Sequence, residues 1–336
     1  MYEVGIAGGS GYGGLELIHL LLRHPQVRLR MLSSERHQGR DVCDLYPHLR
    51  GLIDLSFSSL DETVTADLDI LFLALPHGEA MKVVPRVPRD RLVVDLSGDF
   101  RISDPEVFQR YYGFPLSATE IQREFVYGLT EIHRDRIRNA RRIANPGCFA
   151  TATILALYPL VREGWIDGTV YVDSKTGSSG SGRSPSDKTH HPRRAQAFFP
   201  YKPFRHQHVP EILETLGNPS LSLVFQPHST PLIRGIFAGH YLRTVSEVTA
   251  GDVEALYRDY YDGEPFIRWS SEPPDACYVA HSNYVDLAAA TDGHHLIVWS
   301  TLDNLQKGAA GQAVQNMNVA CGFPETTALE GSPLFP

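Results

Sequence analysis

The chain has 336 residues, 42% of them hydrophobic, which is enough for at least one substantial core and long enough for two ordinary domains. Asp and Glu (39) outnumber Lys and Arg (31), and the formal charge of −8 argues against a general binder of nucleic acids or anionic membranes. The sequence has no run of about 18 apolar residues, and its first residues read as a strand and a turn rather than a leader. We therefore expect no membrane association and a cytoplasmic location.

Apolar segments alternate with helical segments in the first half of the chain. The pattern predicts strands at 4–7, 28–32, 70–75 and 92–96, and helices at 15–23 and 79–84. Such alternation is typical of α/β proteins with a parallel, doubly wound sheet, so we expect a Rossmann-type dinucleotide-binding domain here.

The pattern changes in the second half. Strands are predicted at 169–173, 222–225, 236–242 and 296–301, and helices at 151–162 and 250–261. This order predicts an α+β domain with a mixed, largely antiparallel sheet. A last helix at 309–317 is amphipathic enough to fold back onto the first domain, so the predicted domains are 1–147 with 308–336, and 148–307.

A glycine-rich turn, GGSGYGG at 8–14, follows the first predicted strand and opens the first helix. Glycines at GxxGxxG spacing allow a tight turn and a close approach to a pyrophosphate, which the helix N-terminus also attracts. The candidate cofactor contacts in this turn are Gly8, Ser10, Gly11, Tyr12, Gly13 and Gly14.

The end of the second predicted strand distinguishes the two nicotinamide cofactors. Ser33, Ser34 and Arg36 stand where an NAD site carries an acid on the ribose 2′-hydroxyl. Two hydroxyls and an arginine suit a 2′-phosphate, which favours NADP(H). Glu35 keeps NAD(H) as an alternative, and Arg36 on a solvated loop is the other interpretation.

One of the four cysteines has a distinctive position. Cys43, Cys148, Cys277 and Cys321 show no CxxC spacing, so neither a disulfide framework nor a cysteine zinc site is indicated. Cys148 ends the segment NPGC and starts an Ala/Thr-rich helix, where the helix dipole lowers a thiol pKa. A thiolate beside a nicotinamide suits attack on an activated acyl group, a thioester and hydride transfer.

Such chemistry needs a group that moves protons. His206, His208 and Glu211 lie on one short segment, and histidine titrates in the useful range. The alternative is that these histidines join His190 and His191 in a metal site, but their spacing is no recognised zinc signature, and we expect no metal.

The segment 176–186, TGSSGSGRSPS, has the composition of a flexible linker. It also follows a predicted strand directly and carries Arg183, which suits a loop that wraps an anion. Both interpretations stay open from the residues alone.

Seven segments spread over nearly the whole chain together resemble one family. They are GGSGYGG at 8–14, LALPHG at 73–78, DLSGDFR at 95–101, NPGC at 145–148, TGSSGSGR at 176–183, HQHVPEI at 206–212 and DNLQKGAAGQAVQNMN at 303–318. The sequence resembles the N-acetyl-gamma-glutamyl-phosphate reductases of arginine biosynthesis, relatives of the aspartate-semialdehyde dehydrogenases.

The resemblance implies an NADPH-dependent, phosphorylating semialdehyde dehydrogenase that reduces N-acetyl-gamma-glutamyl phosphate to the 5-semialdehyde and releases phosphate. It implies that Cys148 is the nucleophile and His206 the general acid/base, and that the second domain forms a homodimer or homotetramer. Further cofactor contacts implied by the resemblance are Leu75, Pro76, His77, Ser97, Ser178, Gly180, Asn304 and Lys307. The implied substrate contacts are Arg101, Asn145, Ser181, Gly182, Arg183, His208 and Glu211.

Two segments depart from the family pattern: 204–208 reads FRHQH where family members often read GHRH, and 189–194 reads THHPRR. THHPRR at 189–194 is similar to the sister reductases of lysine biosynthesis, whose aminoadipyl substrate is attached to a small acidic carrier protein. In that alternative, Arg193, Arg194, Lys202 and Arg205 form the docking surface for the carrier. Two other functions stay open: an NADP-binding sensor without turnover, and a non-phosphorylating aldehyde dehydrogenase.

Overall fold

The computed structural model describes residues 1–166 and 168–334. The chain divides into two compact units: unit 1 is Met1–Pro146 with Ala309–Glu330, and unit 2 is Gly147–Gly308 with the segment that starts at Gly331. That last segment was predicted to belong to the nucleotide domain. It belongs to unit 2 because the Leu334 N–H donates to the Ala280 carbonyl at 3.1 Å.

Unit 1 contains a sheet of six strands that are all parallel, in the order β2-β1-β3-β4-β6-β5. The strands are β1 Tyr2–Ala7, β2 Val27–Ser33, β3 Ile70–Leu73, β4 Leu92–Asp95, β5 Val126–Tyr127 and β6 Arg142–Ala144. Every residue of β3 and β4 is buried, as expected for central strands covered on both faces. The predicted α/β class of this half is confirmed.

The helices of unit 1 that precede Gly147 in the chain are α1 Tyr12–Leu21, α2 Val42–Leu45, α3 Leu60–Thr65, α4 Ala80–Val83, α5 Pro105–Tyr112, α6 Thr119–Gln122 and α7 Thr130–Arg138. Short 3₁₀ turns follow at Pro47–Leu49 and Val84–Arg86. Helix α3 begins with a capping box in which Ser59 and Glu62 satisfy each other's backbone N–H groups.

Unit 2 contains a mixed sheet of seven strands in the order β11-β12-β13-β10-β7-β9-β8. The strands are β7 Thr169–Thr176, β8 Phe199–Pro200, β9 Ser222–Ser229, β10 Ile236–Arg243, β11 Ile267–Trp269, β12 Val285–Thr291 and β13 His295–Leu302. Four of the strand pairs are antiparallel, whereas β7 with β9 and β11 with β12 are parallel. The predicted mixed sheet is therefore confirmed.

The helices of unit 2 are α8 Cys148–Arg162, α9 His191–Arg194, α10 His208–Leu216 and α11 Ala250–Tyr261, with 3₁₀ turns at Ser178–Ser181 and Ala276–Val279 and a π-helical turn at Gln306–Ala310. Helix α8 packs against β10, β13 and α10. Two tyrosines of α11 hold it from the other side, because the Tyr257 and Tyr261 hydroxyls donate to the Ala156 and Leu155 carbonyls.

The last helix, α12 Gly311–Cys321, belongs to unit 1 and packs against α1, α7 and β4. The prediction of an amphipathic helix was wrong, because every residue from Gly311 to Ala320 is buried. Its polar side chains find internal partners instead: Asn316 donates to the Gly128 carbonyl at 2.7 Å, and Gln312 donates to Thr130 at 2.8 Å. Among residues 1–166 and 168–334, no helix has the length and apolar character needed to cross a membrane.

Candidate active site

The glycine-rich turn of unit 1 is shaped by close backbone contacts on one side and is open on the other. Gly8 has φ +93°, and a Cβ there would lie 2.3 Å from the Ala74 carbonyl oxygen. A Cβ on Gly14 would lie 2.5 Å from the Gly8 carbonyl oxygen. By contrast, a Cβ on Gly11 would meet nothing nearer than 3.8 Å, and one on Gly13 nothing within 4 Å. The open side, at the start of α1, fits a dinucleotide pyrophosphate.

Hydroxyl groups support this turn from beneath. The Gly8 N–H donates to Ser33 Oγ at 3.2 Å, and Ser34 Oγ donates to Ser10 Oγ at 2.8 Å. The Tyr46 hydroxyl donates to the Ser10 carbonyl at 2.8 Å. Ser33 and Ser10 thus help to hold the turn itself. Tyr46 was not predicted as a contact of the glycine turn, because no sequence motif around Tyr46 relates it to residue 10.

The acid near the predicted ribose site is already engaged. The Glu35 carboxylate accepts a hydrogen bond from the Leu60 N–H at 3.1 Å, at the start of α3. Arg36, next in sequence, is exposed. An acid committed to a helix N-terminus is less available to a ribose hydroxyl, and this arrangement favours a 2′-phosphate beside Arg36.

Two loops at the ends of β3 and β4 are joined by three hydrogen bonds. The Gly98 N–H donates to His77 Nδ1 at 2.8 Å, so that a neutral His77 ring carries its proton on Nε2. The Asp99 carboxylate accepts from the Gly78 N–H at 2.7 Å and from the Met81 N–H at 3.0 Å. Leu75 is half-buried, whereas Pro76 and His77 are exposed. Asp99 therefore positions the LPHG loop, a role that sequence reasoning missed.

The other side chains of the DLSGDFR segment are turned inward. Ser97 is 1% exposed, and its hydroxyl donates to Asp95 at 2.8 Å. Burial and the neighbouring charge of Asp99 raise the pKa of Asp95 to about 7. Arg101 is also buried and donates to the Leu96 carbonyl at 2.8 Å. The Arg101 guanidinium is therefore bound to the backbone of its own segment in unit 1.

Asn145 is used within unit 1. Its side-chain amide donates to the Ala309 carbonyl at 3.0 Å, and its oxygen accepts from Asn316 at 3.0 Å. The residue is 0% exposed. Asn145 thus ties the end of β6 to the start of α12, and the NPGC segment leaves the unit from this fixed point.

Cys148 is the first residue of α8. The N-cap is Gly147, which has no capping side chain, and the first turn carries no acid to offset the positive end of the helix dipole. The Gly147 N–H donates to the Glu211 carboxylate at 2.7 Å, which fixes the backbone that precedes the thiol. Cys148 is half-buried, while the nine residues that follow it in α8, 149–157, are buried.

The other three thiols have less favourable surroundings. Burial raises the pKa of Cys43 and of Cys277, and it raises the pKa of Cys321 to about 11. None of these three cysteines begins a long helix. Their positions agree with packing rather than nucleophilic roles.

Two buried imidazoles lie beside the start of α8. The ring of His208 is so close to Gly147 that a Cβ on this glycine would lie 2.3 Å from His208 Nε2. The His206 and His208 ring centroids are 4.6 Å apart, and Phe149 lies 5.4 Å and 6.0 Å from them. His206 Nδ1 accepts a hydrogen bond from the His208 N–H at 3.3 Å, so a neutral His206 ring presents its proton on Nε2.

Tyr201 completes this cluster and was not predicted. Its ring is 5.8 Å from that of His206, and its backbone N–H donates to the Pro227 carbonyl at 3.0 Å. Burial, and after it the charge of a Cys148 thiolate, raise the pKa of the Tyr201 phenol. Because strand β8 brings Tyr201 here by pairing with β9, no local sequence signal could have found it.

The Gly-Ser segment after β7 forms a short 3₁₀ turn at Ser178–Ser181 rather than an open linker. Gly180 lies in this turn, and Gly182 follows it with φ +77°. Asn304 holds the turn, because its amide donates to Ser179 at 2.9 Å and its oxygen accepts from the Gly235 N–H at 2.8 Å. Arg183 is exposed.

The segment before α12 also reaches the thiol. A Cβ on Gly308 would lie 2.7 Å from Cys148 Cβ, so a side chain here would displace the nucleophile. Lys307, predicted to contact the cofactor, is 0% exposed, and its ammonium lies 5.9 Å from the centroid of the Phe266 ring.

The predicted basic docking run is not a single surface. Arg193, Lys202 and Arg205 are exposed, but Arg194 is only 7% exposed and donates to the Thr230 carbonyl. The inclusion of Arg194 in that surface was wrong, because α9 turns its side chain inward. For the described residues, no cluster of three candidate metal ligands includes His190, His191, His206 or His208.

Family models match both units of the chain. The model described as "Semialdehyde dehydrogenase, NAD binding domain" matches residues 3–140, and "Semialdehyde dehydrogenase, dimerisation domain" matches residues 148–304. The N-acetyl-gamma-glutamyl-phosphate reductase of Methanopyrus kandleri is 46% identical over 98% of this chain and 98% of its own. That of Methanosphaera stadtmanae is 43% identical over 99% of both chains. The chain belongs to the N-acetyl-gamma-glutamyl-phosphate reductase family.

The fold of this reductase-family chain is shared with more distant enzymes. The crystal structure of aspartate semialdehyde dehydrogenase II of Vibrio cholerae has a TM-score of 0.72 at 17% identity, covering 96% of this chain and 98% of its own. At that identity the likeness shows the fold alone. The family resemblance inferred from the seven sequence segments is confirmed.

Proposed function

We propose that this protein reduces N-acetyl-gamma-glutamyl phosphate to N-acetylglutamate 5-semialdehyde with release of phosphate, through a thioester on Cys148. The observation that carries the proposal is the position of Cys148. It begins the buried helix α8, and Glu211 holds the N–H of the preceding Gly147. The His208 ring lies against Gly147, and the rings of His206 and Tyr201 follow in the same cluster. Relatives with this name are 40–46% identical and cover 98–100% of this chain.

The first half-reaction is an acyl transfer. The Cys148 sulfur attacks the acyl carbon, a C–S bond forms, and the carbonyl oxygen gains the negative charge of the tetrahedral intermediate. The positive end of α8 stabilises that charge. The intermediate then collapses, the C–O bond to phosphate breaks, and inorganic phosphate leaves the thioester.

The second half-reaction converts the thioester into the semialdehyde. When bound, NADPH supplies the hydride that this step requires. His206 donates its Nε2 proton to the oxygen of the resulting thiohemiacetal. His206 then takes the proton back while the C–S bond breaks, so that the Cys148 thiolate is regenerated and the semialdehyde leaves. The surrounding rings of Phe149, Tyr201 and Phe225 keep bulk water away from His206, which is 3% exposed.

The residues of unit 1 fit NADP(H) as the cofactor. The open side of the glycine turn would hold the pyrophosphate, and Arg36 the 2′-phosphate. The engagement of Glu35 with the start of α3 supports this choice over NAD(H). Both a cofactor of biosynthetic reduction and an amino-acid precursor are consistent with a cytoplasmic location, which we propose as well.

The reverse reaction tests the proposal directly. Oxidation of N-acetylglutamate semialdehyde with NADP+ should require inorganic phosphate, because only phosphorolysis of a thioester consumes it. Turnover without phosphate would indicate a non-phosphorylating aldehyde dehydrogenase, and no turnover would indicate a sensor. Cys148→Ser should lower kcat by about a thousandfold or more while NADPH binding is retained. Cys43→Ser, which changes another half-buried thiol, is the matched control.

A carrier-linked aminoadipyl or glutamyl phosphate is the second candidate substrate. It is favoured by the exposure of three cations and two aromatic rings within the stretch 193–205. These are Arg193, Lys202 and Arg205, and Phe198 and Phe204, which are 59% and 70% exposed. A small acidic carrier would bind such a surface. Equal kcat/KM for free and carrier-linked semialdehydes, unaffected by Arg193→Glu and Lys202→Glu, would contradict this candidate.

We further propose that the protein forms a homodimer through the outer face of the unit 2 sheet. Tyr171 and Tyr241 are cross-strand neighbours on that face and are 56% and 39% exposed. The match of residues 148–304 to a dimerisation domain supports this interface. Light scattering of the wild-type protein should give twice the chain mass of 37.4 kDa. The double variant Tyr171→Lys, Tyr241→Lys should give the mass of a single chain.

A further inference from the structure

Arg194 is buried although the residues around it are exposed. It is the last residue of α9, a helix of only four residues, and is 7% exposed, whereas His191, Arg193 and Ala195 are exposed. Its guanidinium is turned toward the sheet and donates one hydrogen bond to the Thr230 carbonyl. The basic segment thus directs one of its cations into unit 2.

The buried charge of Arg194 is poorly satisfied when it is compared with two other buried arginines. Arg91 and Arg142 are 7% and 3% exposed, and each donates three hydrogen bonds to backbone carbonyls. Arg194 donates only one, and among residues 1–166 and 168–334 its Nε, like that of Arg142, has no hydrogen-bond partner. Burial lowers the pKa of the Arg194 guanidinium, as expected for an uncompensated cation. A bound anion would supply the hydrogen bonds that this guanidinium lacks.

The position of Arg194 relates it to the thiol cluster. Thr230, whose carbonyl accepts its hydrogen bond, pairs with Thr176 through its N–H at 2.9 Å and its hydroxyl at 3.1 Å. Thr176 ends β7 directly before the turn at Ser178–Ser181. On the other side of Thr230, the Tyr201 N–H donates to the carbonyl of Pro227, three residues before Thr230, and the Tyr201 ring lies 5.8 Å from that of His206. Arg194 therefore lies at the same end of the sheet as the nucleophile.

We propose that Arg194 is a specificity-determining residue of the thiol site, which binds an oxyanion of the substrate through its unused guanidinium N–H groups. This inference rests on the proposed function and extends it. A guanidinium presents two parallel N–H donors that match a carboxylate or a phosphate. The substrate has one group of each kind, the carboxylate that the semialdehyde retains and the phosphate that leaves. Arg183, which lies on the exposed loop, is then not the main anion contact.

The reverse reaction separates the two oxyanions, because the semialdehyde carries the carboxylate and phosphate is added independently. Arg194→Gln should raise the KM of one of them by about 10- to 100-fold, the loss typical of a hydrogen bond to a charged group. A higher KM for the semialdehyde assigns the carboxylate, and a higher KM for phosphate assigns the leaving group. The KM of NADP+ should stay within twofold, and Arg258→Gln, which removes an exposed arginine of α11, should leave all three values unchanged.

The result distinguishes a failure of this inference from a failure of the proposed function. A wild-type enzyme without phosphate-dependent turnover overturns both, because the inference depends on that reaction. An active wild-type enzyme, together with an Arg194→Gln variant whose two KM values stay within twofold, overturns only the role of Arg194. If Arg194→Gln does not fold, Arg194→Lys carries the test, since it keeps the charge but loses the two-pronged donor. Wild-type constants in Arg194→Lys would then refute the inference, and a severalfold increase in one KM would support it.

Discussion

The contact between Gly147 and His208 allows the thiol site to be disturbed by a single methyl group. Gly147 has φ −73° and ψ 146°, which alanine adopts without strain, so Gly147→Ala changes only the space available. The new Cβ would lie 2.3 Å from His208 Nε2 and 2.6 Å from the two neighbouring ring carbons. Ordinary contacts between such atoms are about 3.5 Å, so the imidazole must move by roughly 1 Å.

A displacement of that size is large for a ring that packs 4.6 Å from the His206 imidazole and against the residue before the thiol. A misplacement of about 1 Å typically lowers the rate by about 100-fold, which corresponds to roughly 2.7 kcal/mol of transition-state stabilisation. We therefore expect Gly147→Ala to reduce kcat for the reverse reaction by about 100-fold. The KM of NADP+ should hardly change, because the glycine turn that supports it belongs to unit 1.

The assay follows NADP+ reduction by N-acetylglutamate semialdehyde at saturating phosphate, together with thermal unfolding of each variant. Gly251→Ala is the matched control, since Gly251 lies in the first turn of α11 and a Cβ there meets nothing nearer than 3.7 Å. That control should keep wild-type kcat and gain up to about 1 kcal/mol of stability. A kcat within twofold of wild type in Gly147→Ala would refute the inference that the reaction depends on the position of the His208 ring beside Gly147 and His206.

Two further predictions concern buried groups. Glu211→Ala should lower the free energy of unfolding by about 1–3 kcal/mol, because it leaves the Gly147 N–H without its carboxylate acceptor. Glu211→Gln keeps an acceptor and should lower it less. Equal losses of the two variants in chemical denaturation would contradict this prediction. His240 is 0% exposed, its Nδ1–H donates to the Val298 carbonyl at 2.9 Å, and burial lowers its pKa from 6.5 to about 4. Between pH 6.5 and pH 4 the unfolded chain therefore binds more protons at His240 than the folded chain does. The contribution of neutral His240 to the free energy of unfolding is complete above pH 6.5 and falls by about 3 kcal/mol as the pH drops to 4. His240→Asn, compared with the exposed control His191→Asn, should abolish that part of the pH dependence of unfolding; an unchanged profile would argue against it.

The fold could largely be predicted because its strongest signals are local. The glycine turn between β1 and α1 and the apolar runs of β3 and β4 are properties of single segments. Strands β8 and β11, which have two and three residues, were missed because so few residues show no periodicity. Helix α12 was predicted as amphipathic because its Gln and Asn residues look like a polar face. Only the tertiary structure supplies the buried partners that these amides need.

The thiol and its imidazoles could be recognised in the sequence, but their supporting groups could not. Cys148 and the pair His206 and His208 are marked by residue type and by their place in short segments. Asp99 acts through hydrogen bonds to residues 18 and 21 positions earlier in the chain, and Tyr201 reaches the site through the pairing of β8 with β9. Such relations depend on the whole sheet, and no spacing in the sequence encodes them.

Sequence alone also could not identify which arginine, Arg183 or Arg194, binds the substrate anion. Experiment can decide between them. The sequence favours Arg183, since a Ser/Gly loop that carries an arginine is typical of an anion site, whereas Arg194 reads as one of several surface cations. Burial reverses this order, because Arg183 is exposed and Arg194 is 7% exposed with a single hydrogen bond. An exposed cation is hydrated in any case and gains little from an anion, but a desolvated one gains much more. Arg183→Ala should therefore raise the KM of phosphate or semialdehyde less than Arg194→Gln does, and the opposite ranking would return the anion site to the loop.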